Sequence, residues 1–226
     1  MIEAHAFLSA LQQADSFFPG GGVSFSWGLE GLLGDGLVKE PETLAGVLRG
    51  QLRHRWASCD RPILLAAHAS EGDVRELGEI DRLVEAITLP QELREGSKRA
   101  GSALLSTHVR LATPGASQYR AAIASGAGLG HLPVVQGCVW SATGIAPNAA
   151  SLMSGYLTCL GFLGAAVRLG SVGHLDAQRI LAAMLPLISE LASAAPPSID
   201  AVNSFTPIID IGSTHHERAG VRLFAN

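Results

Sequence analysis

The chain has 226 residues, of which 47% are hydrophobic and only 16% charged, with a net charge of −4. That length buries a substantial core, and the charged fraction lies well below the usual quarter. A weakly acidic chain lacks the basic field that nucleic acid or an anionic membrane surface requires, so both are excluded as partners.

Phe7, Leu8, Leu11 and Ala14 share one face of a first predicted helix, Ala4–Ala14. Residues 15–30 follow as DSFFPGGGVSFSWGLE. Three successive Gly lose the most backbone freedom on ordering, so a chain that orders them uses the turn or admits a close neighbour. Ser24 is the expected N-cap of a second helix over residues 24–33, which Gly34-Asp35-Gly36 breaks.

Pro41 suits a first helical position, and residues 42–58 continue with Leu44, Val47, Leu48, Leu52 and Trp56 inside. Arg49, Arg53 and Arg55 are expected on a solvated face. Asp60 is expected to cap a separate helix reaching Ser70, with Pro62 in its first turn. Residues 73–86 are amphipathic, with Glu76, Glu79 and Asp81 expected on a solvated acidic face. Pro90 opens a helix to about residue 111 whose acids come early and bases late, as the helix dipole favours.

A short helix over 117–125 and a flexible link over 126–130 come next. Residues 134–143 carry strand propensity but read as helix, because a lone strand has no partner here. Asn148 is expected to cap a long apolar helix to about residue 169, and 174–192 forms another, kinked at Pro186. The uncharged run 152–167 contains Ser154, Tyr156, Thr158 and Gly, and falls short of a span of about 20 apolar residues, so it reads as a buried helix. From residue 204 no helical period is sustained. The prediction is all-α: a single compact domain of about ten helices over residues 1–203, and a loosely ordered tail over 204–226.

No catalytic constellation is visible. The Gly-rich stretch lacks the Lys and the preceding strand of a phosphate loop; the chain's lysines are Lys39 and Lys98. There is no G-x-S-x-G. The eight His form no H-x-x-x-H pair, and adjacent His215-His216 diverge by about 100° on a helix, which disfavours one ion gripped from one face. Neither a metal nor a cofactor is expected. Cys59, Cys138 and Cys159 are odd in number and widely spaced, as reduced thiols of a cytoplasmic protein are, and residues 1–13 carry Glu3 with no basic lead of a secretory signal. This profile fits an interaction protein better than an enzyme. A helical metal-dependent hydrolase using scattered His and Cys, or a direct metal-ion carrier through His215-His216, are the alternatives.

Five blocks carry a family resemblance. LQQADSFFPGGGVSFSWGLE, LPQELREGSKRAGSALL, HLPVVQGCVW, AAVRLGSVGHLDAQRILAAMLPLI and SFTPIIDIGSTHHERAGVRLF resemble, in order, the blocks of the urease accessory protein UreF family. The resemblance implies an all-helical, dimeric, non-enzymatic chaperone. Such a protein bridges UreD (also called UreH) and the GTPase UreG in the complex that inserts nickel into apo-urease, and regulates GTP hydrolysis by UreG. In the family the C-terminal segment is ordered by UreD. By position, the resemblance points to Asp15, Ser24, Ser26 and Glu30 at the partner-facing surface, and Arg168 and Arg179 as structural or interface residues. It assigns His216, Glu217, Arg218 and Arg222 to the docking tail. Two positions depart from the family's pattern: Phe25 stands where many members have His, and Gly20 where Thr or Ile is common.

Overall fold

Helix is the sole regular structure among the described residues of the computed structural model, which are residues 4–15, 17–21 and 25–216. In chain order the helices are α1 (Ala4–Ala14), α2 (Leu29–Gly34), α3 (Pro41–Gln51), α4 (Arg61–Ala69), α5 (Val74–Ile87) and α6 (Gln91–Arg110). Then come α7 (Ala116–Ala124), α8 (Leu132–Ala142), α9 (Pro147–Arg168), α10 (His174–Ser193) and α11 (Pro207–His216). A single 3₁₀ turn, Ile199–Ala201, precedes α11. The all-α class and the approximate helix number agree with expectation. Residues 134–143 are helical despite their strand propensity.

The apolar side chains gather into two cores. The first surrounds Trp56 with Leu44, Leu48, Phe162 and Met184, from α3, α9 and α10. The second surrounds Trp140 and Tyr119 with Ile63, Leu64 and Leu105, from α4, α6, α7 and α8. α9 joins them, contributing Met153 to one and Phe162 to the other. It is the one helix among the described residues long and apolar enough to cross a membrane, yet 56% of its apolar window is buried against the rest of the fold. Small residues set the helix spacings. A Cβ on Gly137 would stand 2.7 Å from Ala67 Cβ, so α8 lies directly on α4.

Several local expectations fail for physical reasons. α3 and α4 are one rod, because a π segment, Leu52–Asp60, joins them without a break. Asp60 has helical dihedrals (φ −65°, ψ −39°) and is not a cap. The second helix starts at Leu29, since Trp27 and Gly28 have left-handed φ values of 53° and 83°. Ser24 lies outside the described residues. α9 begins at Pro147, leaving Asn148 inside the first turn. In α1, Gln13 is the buried residue while Phe7, Leu8 and Leu11 are about half exposed, so the helix turns its Ala10–Gln13–Ala14 side to the core. The tail also carries more helix than its periodicity suggested, since residues 207–216 form α11.

Asp81 was expected in solvent and is fully buried at 0% exposure. Its Oδ2 accepts hydrogen bonds from Tyr119 Oη (2.6 Å), Leu129 N (2.7 Å) and Gly130 N (2.9 Å). Its Oδ1 accepts one from His131 N (2.9 Å). One carboxylate thus organises the α7–α8 link and the start of α8. Four residues on, Glu85 meets His131 Nε2 (2.8 Å), Lys98 Nζ (3.3 Å) and Arg94 Nε (3.3 Å). Burial pushes the Glu85 carboxyl up, but the His131 and Lys98 hydrogen bonds outweigh it and hold it below its ordinary value.

His108 ties α6 to α1. Its Nε2 donates to Gln13 Oε1 (3.0 Å) and its Nδ1 lies 2.9 Å from Thr113 Oγ1. Burial lowers its pKa to about 4. An unfolded chain, with His near pKa 6.5, takes up the proton first as pH falls. The stability that neutral His108 confers is therefore complete above about pH 6.5 and drains away between there and about pH 4. Thermal melts across that window should show a shallower pH slope in His108→Gln than in the parent; equal slopes would remove His108 from the acid sensitivity.

Candidate functional site

The site is built where α2 meets α11. α2 is a short helix of Gly-rich composition, LEGLLG, and α11 is PIIDIGSTHH. Gly31 and Gly212 face each other so closely that a Cβ on Gly31 would run into the Gly212 carbonyl. A Cβ on Gly28 would lie 2.7 Å from Ser213 Oγ. Gly here serves close backbone approach, and at Gly28 also the left-handed φ. Ile209 is the apolar anchor of α11, 1% exposed among the residues of the Trp56 core. Ile208 and Ile211 point outward, 42% and 50% exposed.

Upstream of α11, residues 203–205 lie on the π segment. Asn203 N donates to Ser58 O (3.1 Å) and Phe205 N to His54 O (2.9 Å). Ser58 Oγ donates to Asn203 O (2.8 Å). Arg55, expected in solvent, is instead the hub: it pairs with Asp60 Oδ1 at 3.0 Å and donates to Ser204 Oγ and Thr88 Oγ1. Its electrostatic reach extends to Asp210 on α11. Burial raises the Asp60 carboxyl above its ordinary value, although Arg55 works against that shift.

The Gly-rich stretch is a tight fit, in keeping with a turn that admits a close neighbour. Gly21 has φ +75°, and a Cβ there would lie 2.5 Å from Ala103 Cβ on α6. Phe25, where the family resemblance leads one to expect His, is 3% exposed. Its ring stacks obliquely on Trp27 at 5.5 Å and lies over Gly96, whose added Cβ would be 3.3 Å from it. At this position the chain therefore has an apolar anchor and no titratable group.

Of the residues assigned by resemblance, Asp15 and Arg168 both line one cavity of about 800 Å³, with Trp27, Gln51, Trp140 and Thr206 among its other walls. Asp15 caps the turn after α1, its Oδ1 accepting from Phe17 N at 2.7 Å. Ser26 is fully buried and its carbonyl accepts from Leu29 N, while Glu30 sits in the first turn of α2. Burial lowers the Arg168 guanidinium from its ordinary value. Arg179 lies apart on α10 in an exposed pair with Asp176 at 2.8 Å. An exposed pair of this kind contributes little to stability. His216 ends α11; Glu217, Arg218 and Arg222 lie outside the described residues.

Cys59, Cys138 and Cys159 are buried, and burial pushes their thiols up to about 12, 11 and 12. A nucleophilic thiol needs the opposite shift, so these residues give a Cys–His hydrolase no footing. Among the described residues no three of His, Cys, Asp and Glu come within reach of one metal ion. Fold and site together define an all-helical protein whose α11 is docked beside a Gly-rich turn.

A family model described as UreF matches residues 38–185. The chain is 34% identical over 230 residues to a urease accessory protein UreF of Yersinia enterocolitica, with 100% of both chains covered. It is 33% identical over the full length of the Yersinia pseudotuberculosis protein of that name. To the Trichodesmium erythraeum protein of that name it is 31% identical, covering 97% of this chain and 96% of that one. The chain belongs to the UreF family.

Sequence reasoning placed Arg55 and Asp81 in solvent and read Pro62 as the first turn of a separate helix, although the apolar period continues on both sides of it.

Proposed function

We propose that this chain acts in urease maturation as a non-enzymatic scaffold of the cytoplasm. In this reading it bridges UreD (UreH) and the GTPase UreG, so that the assembly inserts nickel into apo-urease, and it works as a homodimer. It regulates GTP hydrolysis by UreG and binds no cofactor of its own. The observation that carries the reading is the full-length match to urease accessory proteins named UreF. Supporting it, α11 rests on α2, the helix that carries Glu30, and on Gly28, two residues after Ser26. Outward-facing Ile208 and Ile211 supply apolar anchors of the kind a partner buries.

The test is a pull-down of the purified chain with UreD, UreG and apo-urease. Co-elution with UreD, and recruitment of UreG to that pair, is the expected result. Folded proteins that fail to associate would overturn the reading. Deleting residues 204–226 should abolish UreD binding. If the complex survives that deletion while nickel affinity is lost, the tail carries nickel through His215-His216 instead.

A further inference from the structure

The rod that runs from α3 to α4 contains a proline in mid-helix, and its register changes around that residue. Pro62 has no N–H, so it cannot donate to the carbonyl of Ser58 four residues back. The helix widens instead: Arg61 N donates to Trp56 O, five residues back, at the end of the Leu52–Asp60 π segment. Single π insertions of this sort are frequent at functional positions. The consequence here is specific. The Ser58 carbonyl that Pro62 leaves without its α-helical donor receives Asn203 N, and the His54 carbonyl one turn earlier receives Phe205 N. Alternate residues of the 203–205 segment thus use the rod's carbonyls as a strand would use a neighbouring strand. Ser58 Oγ and Arg55 complete the seat by holding Asn203 O and Ser204 Oγ. Two residues after Phe205 the chain enters α11.

We propose that Pro62 and Arg55 are positioning residues for the C-terminal docking helix: the π register set by Pro62, together with the Arg55 side chain, forms a seat for residues 203–205 that fixes where α11 lies against α2. The proposal rests on the assignment of the tail to docking only for its functional meaning. The seat itself is a property of this chain alone.

The experiment is hydrogen exchange on the full-length protein, parent against Pro62→Ala and Asn203→Pro. Pro62→Ala restores a donor to Ser58 O and favours α register. Amide exchange at Asn203, Phe205, Ile209 and Asp210 should then accelerate by about tenfold, while α5 to α8 keep their protection. Asn203→Pro leaves the rod untouched and removes a donor to its carbonyls, so it should accelerate the same α11 amides. If Pro62→Ala loosens the whole molecule evenly, the Asn203→Pro result decides. Unchanged exchange at Ile209 and Asp210 in Asn203→Pro, or in an otherwise protected Pro62→Ala, overturns the proposal. The same variants are then tested for UreD capture. Accelerated exchange with undiminished capture would keep the seat and refute the docking role assigned to the tail.

Discussion

Asp81→Ala is expected to lower the midpoint of thermal unfolding by about 10 °C, the largest loss from any single polar side chain in this fold. The reason lies in what the carboxylate leaves behind. Three backbone N–H groups, of Leu129, Gly130 and His131, and the Tyr119 hydroxyl all converge on it. Each buried donor stranded without a partner costs on the order of 1–3 kcal/mol. Some of the link relaxes toward water, so a total of about 4 kcal/mol is the reasonable scale, and a chain of this size shifts by about 2–4 °C per kcal/mol. Asp81→Asn separates geometry from charge. Its amide oxygen can keep the three bonds now made to Oδ2, but its NH₂ faces the His131 N–H, donor against donor. It should therefore fall between the parent and Asp81→Ala. Calorimetry on the three proteins checks the order, and an Asp81→Ala midpoint within about 2 °C of the parent would mean the link holds itself together without this residue.

Asp81 also marks where sequence stopped being informative. Helical period located nearly every helix, because apolar spacing at three and four residues follows from burying one face. It even overrode strand propensity at residues 134–143. Period does not say which polar residue of an amphipathic helix points inward. Val74, Leu77 and Val84 define the buried face of α5, and Asp81 lies four residues beyond Leu77 on that face. The residue type suggested solvent, yet the unpaired amides of a Gly-rich link demanded an acceptor. The same blindness applied to Arg55, whose partners Thr88 and Ser204 are distant in sequence. Pro62 was visible and was read as a helix start, when the apolar period on either side of it indicated a continuous rod. At the candidate site the Gly-rich turn was legible as a place of close approach. Its neighbour α11 was not, because a ten-residue helix anchored by one buried Ile has no period long enough to read.

If UreD docks on α11 as proposed, Gly31→Val should cost the chain that partner while sparing most of its core. Any Cβ at residue 31 collides with the main chain of Gly212, and backbone cannot rotate aside as the end of a long side chain can. α11 must lift from α2, drawing Ile209 out of the Trp56 core and Gly212 away from Leu32, which a Cβ there would touch at 2.9 Å. Apart from Leu29, Leu32 and Ile209, the two cores are built mainly from α3 to α10, away from this contact, so far-UV circular dichroism should stay close to that of the parent. Capture of UreD should fall at least thirtyfold, the scale of a lost interface anchor of about 2 kcal/mol. Gly34→Ala is the control: it adds a Cβ in the same short helix where nothing lies within 4 Å. It should retain capture and, by removing a glycine from a helix, cost no stability. If Gly31→Val binds UreD as the parent does while its α11 amides have lost protection, the position of α11 is irrelevant to the partner. The docking surface would then have to be sought on the outward apolar face of α1, where Phe7, Leu8 and Leu11 stand half exposed.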